Sequence, residues 1–426
     1  MVIVDECNIM QVQRRRLRED LLTNATFGAV NVEEGHGRTV LTGTDADRRA
    51  REYFVDRLEE RNLEVRVDPV GNIAGRWVPD SADPMTAPVA LGSHLDSVPN
   101  GGIFDGPLGV YAALESVRAL QDAEVPLERP IDVVCFTGEE GQRFDYGALG
   151  SAVAVGDVST EWALTREDDE GVSLEEALQR IGFSGSDTIN PETWDSWLEL
   201  HIEQAETLIN KGAQAGIISA ITGITRCEAS IEGEANHAGT TSMRDRTDAL
   251  TAASEFVLDI ERAASERLAV DSSAPVATVG HSVVSPNAPN VVPGAVTLTV
   301  DVRDTNYSTM EYLVDRAKTS LARLESERGV KTSFNRSADR PPQTMNERCR
   351  IALQDAATNH DIPVVELESR AAHDTMRVAK VTDASMLFAP SHDGLSHTPL
   401  EWTDWDDCVA ATQILTGAIE TLAEAE

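Results

Sequence analysis

The chain is short of several residue types, and each shortage removes a class of function. Only four residues are lysine (Lys211, Lys318, Lys331 and Lys380), and lysine plus arginine reach 36 against 72 aspartates and glutamates. The resulting net charge of −36 is spread along the chain. It disfavours a nucleic-acid partner, because phosphate binding needs basic patches. Five cysteines (Cys7, Cys135, Cys227, Cys349 and Cys408) are scattered and never spaced as CxxC. An odd, scattered set argues against a disulfide framework and a thiolate metal site, and fits a reduced compartment. No apolar run approaches the length of a membrane span. The first residues lack a basic stretch leading into an apolar one, so no export signal is expected. The expectation is a cytoplasmic protein that binds neither membrane nor nucleic acid. The acidic excess resembles the surface of proteins adapted to high internal salt, where self-repulsion is screened. No internal repeat or low-complexity segment stands out.

What is present is enough apolar material for two domains: 41% of 426 residues are hydrophobic. Residues 12–24 and 44–62 read as amphipathic helices, the second with Asp45 and Asp47 in its first turn. Residues 63–67 and 87–91 read as strands, and Gly71 to Trp77 as a turn into another strand. Ile131 to Thr137 is a near-continuous apolar strand of the kind buried in parallel sheets. Val110, Ala113, Leu114, Val117 and Leu120 recur at helical spacing. Residues 156–190 are acidic and read as a peripheral excursion. From about residue 214 the pattern becomes strand (225–232), helix (248–268), strand (275–284), strand (295–303), helix (310–327), strand (330–336). That βαββαβ order predicts a self-contained unit of two helices on a four-stranded sheet. Arg340-Pro-Pro342 reads as the return linker. A strand over 382–389 and a closing helix follow, with Thr403 as candidate cap. The expected fold is α/β: a mixed-sheet catalytic domain (1–213 and 338–426) with helices on both faces, plus an inserted domain (214–337).

Four stretches carry chemistry. Leu91-Gly-Ser-His-Leu-Asp-Ser-Val-Pro-Asn-Gly-Gly-Ile-Phe-Asp-Gly106 leaves a strand through a glycine-rich loop. It offers His94, Asp96 and Asp105 to a metal at the mouth of a sheet, where α/β proteins build their sites. Gly138-Glu-Glu-Gly141 places two carboxylates side by side. They repel each other unless a cation lies between them or one stays protonated. His201 and His397 end other strand-like segments. Oxygen and nitrogen donors without cysteine suit Zn²⁺, Mn²⁺ or Co²⁺. His94, Asp105, Glu140, His201 and His397 are too many for one open catalytic ion. They suffice for two ions sharing a carboxylate at a separation of about 3.5–4 Å.

Gly92-Ser-His-Leu-Asp-Ser-Val98, Phe104-Asp-Gly-Pro-Leu-Gly-Val110, Gly138-Glu-Glu-Gly141, Leu200-His-Ile-Glu-Gln204 and Ser396-His-Thr-Pro399 resemble a known family. These are the dinuclear amidohydrolases that include N-carbamoyl-L-amino-acid hydrolase, allantoate amidohydrolase and β-ureidopropionase, within the aminoacylase and carboxypeptidase G group. The likeness runs in the same order from about Arg38 onward. It implies that Asp105 bridges two ions, with His94 and His201 completing one sphere and Glu140 and His397 the other. Asp96 would hold the second nitrogen of His94. Glu139 would be the general base that takes a proton from the attacking water and returns it to the departing nitrogen. Gly233-Glu-Ala-Asn-His-Ala-Gly-Thr-Thr-Ser-Met243 is similar to the family's lid motif. In it His237, reaching across a homodimer, would stabilise the oxyanion. Asn290 and Gln204 would contact the substrate, and Arg303 would take its carboxylate in a bidentate pair.

The resemblance implies hydrolysis of a carbamoyl or ureido C–N bond on a small acid. N-carbamoyl-L-amino acids come first, ahead of allantoate and β-ureidopropionate. An aminoacylase or dipeptidase of the same group is the enzymatic alternative, and a non-catalytic dimeric binding protein the alternative from another class. One stretch departs from the family pattern. Ser369-Arg-Ala-Ala-His-Asp374 stands where a Ser-Gly-Ala-Gly-His-Asp type of run is usual. Arg370 and Ala372 replace residues that leave room for substrate. His373 is a weaker candidate near the pocket, and His36, His281, His360 and His392 carry no assigned role.

Overall fold

The computed structural model describes residues 10–269 and 274–424; Cys7 and most of the irregular opening stretch lie outside them. The chain divides into two compact units. One comprises Met1–Ser219, Met345–Leu367 and Ala371–Glu426, the other Ala220–Thr344 and Glu368–Arg370.

The first unit is built on a mixed sheet. Its strands follow the spatial order Glu64–Val67, Ile73–Trp77, Ile131–Phe136, Val89–His94, Ser196–Ile202, Asp383–Ala389 and Ala215–Ile221. The four from Ile131–Phe136 to Asp383–Ala389 run parallel, with antiparallel neighbours on either side. Strand Ala215–Ile221 pairs with Asp383–Ala389 through Ile217 and Leu387. It therefore extends the large sheet, and the second unit begins at Ala220, within the last residues of this strand, where the sequence suggests 214. Successive side chains on a strand point to opposite faces, and here both faces are covered. Leu91, Val133, Leu198 and Leu387 join a core shared with helices Pro107–Asp122, Glu347–Asn359 and Trp405–Leu422. Ala90, Val134, Phe136 and Trp197 face the other way, onto Trp194 and Val378 of the short helix Thr375–Val378.

Local rules account for most element ends. Thr44 caps helix Asp45–Glu59 by accepting from the Asp47 amide at 3.3 Å. The closing helix starts at Trp405, not at the turn Thr403 would cap: Asp404 is still extended (φ −65°, ψ 139°) and no side chain caps the helix. Helix Pro107–Asp122 is buried on every side as far as Leu120, although its apolar spacing predicts one buried stripe. Helix Arg14–Asn24 covers its polar back. There the Arg16 guanidinium donates to Glu115 at 2.6 Å and Arg118 pairs with Asp20.

The second unit is a four-stranded antiparallel sheet in the order Lys331–Arg340, Gly223–Glu232, Ala295–Asp304, Val276–Ser285. Alternate residues of its two central strands, among them Cys227, Ala229, Ile231, Val296, Leu298 and Val300, pack on helices Ala249–Leu268 and Tyr307–Arg328. Phe256, with no exposed surface, sits in that core. Phe256→Ala should cost about 3–5 kcal/mol of stability, read as a lower denaturant midpoint with the slope unchanged.

Candidate metal centre

The candidate ligands of the first unit sit at or just beyond strand ends. His94 closes Val89–His94, and Glu139 and Glu140 follow Ile131–Phe136. His201 lies at the end of Ser196–Ile202, and His397 follows Asp383–Ala389. These are the carboxyl ends of the parallel strands, where backbone turns away and leaves a crevice. Asp105 returns to the same point because the loop from His94 folds tightly at Gly106. That residue has φ +83°, and a Cβ on it would stand 2.5 Å from His94 Cε1. Only glycine both adopts that backbone and leaves the imidazole its place.

Two groups of donors result. His94, Asp105 and His201 have ligand atoms within 4.8 Å of one another, and so do Asp105, Glu140 and His397. Asp105 Oδ1 lies 3.6 Å from His94 Nε2 and 3.2 Å from His201 Nε2. Its Oδ2 lies 3.5 Å from His397 Nε2, which is also 3.5 Å from Glu140 Oε2. One carboxylate thus serves both groups. The other ring nitrogens are held from behind: His94 Nδ1 lies 3.2 Å from the Asp96 carbonyl and His201 Nδ1 lies 3.1 Å from the Ile202 carbonyl. Such contacts turn each Nε2 toward the site. The Asp96 carboxylate is farther from His94 Nδ1, at 3.6 Å. Its oxygens accept instead from the amides of Glu139 and Glu140, both at 3.2 Å. The sequence assigned the imidazole to Asp96; the shorter contact is with its backbone oxygen.

The donor set fits a divalent cation on two observations. His94 Nε2 and Glu140 Oε1 are buried without a hydrogen-bond partner among the described residues, which is costly unless another ligand takes them. The carboxylates also need positive charge. Burial, with Asp105 adding repulsion, pushes Glu140 up to about 8. Burial holds Glu139 well above the usual carboxylate range, against the pull of His94 and with Glu140 and Asp374 adding to the rise. Asp105 goes the other way: burial works against its charge, but His201 and His94 outweigh it and hold it well below. Burial also opposes the charge on His94, yet Asp96, Glu139 and Asp105 raise it well above its ordinary value. The raised His94 marks the same demand for positive charge, which a bound cation would meet while displacing a proton.

A cavity of about 230 Å³ opens on these groups, lined by Asp105, Glu139, Glu140, His201, Gln204 and His397 among others. His397, its side chain 49% exposed and its backbone at φ +58°, forms the accessible edge. Glu139 Oε2 stands 3.8 Å from His94 Nε2 and belongs to neither donor group. Gln204 turns its amide inward, donating to Asp105 Oδ2 and Ser396 Oγ, both at 3.1 Å. Ser396 Oγ donates to the same Asp105 oxygen at 2.5 Å. His373 is buried against His201, ring centroids 4.6 Å apart, and burial followed by His201 holds its pKa well below the ordinary value. Ala371 and Ala372 line the cavity, and Arg370 is exposed.

Sequence reasoning missed Ser396 and Glu401. Both lie in the stretch around His397, but nothing local marks a serine or glutamate as a partner of Asp105. His237, Asn290 and Arg303 belong to the second unit. His237 lies on the two-residue strand Asn236–His237, paired with Val291–Val292. Its Nδ1 accepts from the amides of Gly239 and Thr240 at 3.0 and 3.2 Å, which leaves the ring proton on Nε2. Asn290 accepts from the Ala238 amide through its carbonyl at 2.9 Å. Arg303 Nε donates to Asp301 at 2.8 Å, and Nη1 reaches the Arg370 carbonyl at 3.4 Å.

Fold and ligand set together define the class, a hydrolase built to hold divalent metal. The chain belongs to Peptidase family M20/M25/M40, whose pattern matches residues 90–421. It is 33% identical over 418 residues to the N-carbamoyl-L-amino-acid amidohydrolase of Paenarthrobacter aurescens, covering 97% of this chain and 99% of that one. It is 32% identical over 369 residues to the allantoate amidohydrolase of Bacillus subtilis, covering 85% and 87%. Among solved structures, an amidase of the hydantoinase/carbamoylase family from Burkholderia multivorans matches with a TM-score of 0.89 at 34% identity, covering 97% of this chain and 98% of that one.

Proposed function

We propose that this chain hydrolyses a carbamoyl or ureido C–N bond on a small carboxylate substrate, an N-carbamoyl-L-amino acid before allantoate or β-ureidopropionate. The observation that carries the reading is one carboxylate, Asp105, shared by two donor groups with Glu139 alongside. Two divalent ions (Zn²⁺, Mn²⁺ or Co²⁺) are the intended occupants, one held by His94, Asp105 and His201, the other by Asp105, Glu140 and His397. Bound there, they supply Lewis acidity and a lowered water pKa. Glu139 accepts the water's proton and delivers it to the leaving nitrogen. Asp96 keeps Glu139 and Glu140 in place through their amides. An N-carbamoyl amino acid and one water yield the amino acid, ammonia and carbon dioxide. The test is ammonia release from N-carbamoyl amino acids, with N-acetyl amino acids and dipeptides as controls. Turnover of the controls with none of the carbamoyl substrates would refute the reading in favour of an aminoacylase or dipeptidase.

The second unit supplies substrate contacts in this reading. His237 presents Nε2–H as the oxyanion donor, and Asn290 and Gln204 orient the ureido group, Gln204 through its free oxygen. Arg303 takes the carboxylate through Nη1 and Nη2, whose present partners, the Arg370 carbonyl and Asp301 Oδ2, are both as far as 3.4 Å. Arg303→Ala should raise KM for carboxylate substrates by about 10- to 100-fold, the worth of a charged hydrogen-bonded pair, with metal content unchanged. A homodimer through this unit is supported by strand Val276–Ser285. Among the described residues it lies at the sheet edge with one side unpaired, and Val276 and Val283 are exposed.

Among the described residues, no helix is long and apolar enough to cross a membrane, and Cys135, Cys227, Cys349 and Cys408 are free and buried. A cytoplasmic site of action is consistent with both. The net charge of −36 supports a working medium rich in salt, since screening shortens from about 10 Å at 0.1 M to about 3 Å at 1 M. The thermal midpoint should therefore climb as KCl is raised across that range; a flat or falling midpoint refutes salt adaptation.

A further inference from the structure

The loop from His94 to Asp105 must deliver a ligand at each end, and two buried ionisable side chains, Glu401 and Arg38, grip it from outside. Glu401 is 1% exposed, and its Oε1 accepts from the amides of Phe104 at 2.8 Å and Asp105 at 3.0 Å. Gly102 makes the approach possible, because a Cβ there would stand 2.2 Å from Glu401 Cδ. At the other end, Arg38 has no exposed surface. Its Nη2 donates to the Leu95 carbonyl and lies 3.5 Å from that of Asp96, and its own amide donates to the Gly101 carbonyl at 3.0 Å. Glu401 Oε2 and Arg38 Nε and Nη1 are buried with no hydrogen-bond partner among the described residues.

Satisfying backbone groups does not need this arrangement. Water could accept or donate the same bonds, whereas burying an ionisable side chain is costly. What two enclosed side chains add is stiffness where it matters. Asp105 must present Oδ1 to one donor group and Oδ2 to the other, so a small rotation of its backbone spoils both. Burial and then Asp105 push the Glu401 carboxyl up to about 7, so its hold is that of an enclosed oxygen acceptor, and one of its two bonds ends on the Asp105 amide itself.

We propose that Glu401 is a positioning residue that fixes the shared ligand Asp105 through the amides of Phe104 and Asp105, with Arg38 as its counterpart behind His94. This rests on the shared-ligand reading of Asp105. The experiment measures Co²⁺ affinity by chelator competition, and the visible Co²⁺ spectrum, on the full chain. Glu401→Leu removes the acceptor and should weaken Co²⁺ binding at least tenfold, within the 10–100-fold known for outer-shell partners, and shift the spectrum. Glu401→Gln keeps an oxygen in place and should restore most of the affinity and the spectrum. If Glu401→Leu does not fold, Arg38→Met carries the same expectation. A folded Glu401→Leu or Arg38→Met protein with wild-type affinity and spectrum overturns the proposal. Wild-type protein that takes up no Co²⁺, or an Asp105→Asn variant that takes up as much, overturns the shared-ligand reading instead.

Discussion

Glu139→Gln should leave the cation content of the protein intact while lowering turnover by about 10²–10⁴-fold, the range typical of a lost general base. Glu139 lies outside both donor groups, so the change removes no ligand. Glutamine has the same shape and can still be held through its amide by Asp96, but it cannot accept the proton. The same change relieves crowding, because Glu139 is one of several buried carboxylates that repel one another. The thermal midpoint of the variant in chelator should accordingly not fall. Elemental analysis beside steady-state rates on an N-carbamoyl amino acid checks both halves. A variant with unaltered kcat removes Glu139 from the mechanism.

The second large effect concerns Asp105. Asp105→Asn should abolish uptake of both ions, whereas Glu140→Gln or His397→Ala should spare the ion held by His94, Asp105 and His201. The asymmetry follows from the geometry, since only Asp105 belongs to both donor groups. Its stability consequence is calculable: an ion at a hundred times its dissociation constant stabilises the folded chain by about 2.7 kcal/mol. Wild-type protein should therefore melt higher as Mn²⁺ or Zn²⁺ is added, and Asp105→Asn should not respond. A variant that still binds one equivalent would show that the two donor groups do not depend on a common residue.

Residues whose meaning is local were readable in the sequence. The strand Ile131–Phe136 announces itself by six buried positions in a row, and the βαββαβ unit by its regular alternation. The candidate ligands stood out in the sequence because His94, Glu140, His201 and His397 end or follow strands, and Asp105 closes the loop that leaves one of them. Positions that depend on distant partners were not. Glu401 meets Phe104 across 297 residues of sequence, and no periodicity connects them. Glu115 and Arg118 read as the wet side of a helix, but helix Arg14–Asn24 buries them. Which unit Ala215–Ile221 joins was not legible, because it is as apolar as a core strand of either, and its pairing with Leu387 and Phe388 puts it in the large sheet. Thr403 looks like a cap by composition, but its hydroxyl is buried without a partner among the described residues.

The donor groups draw on residues from 94 to 397, and the grip on the shared ligand comes from residue 401. A nascent chain on the ribosome therefore holds only fragments of the pocket until nearly all of it has emerged. The group that includes His397 is completed last, so a product ending before it would keep only the donors His94, Asp105 and His201 together.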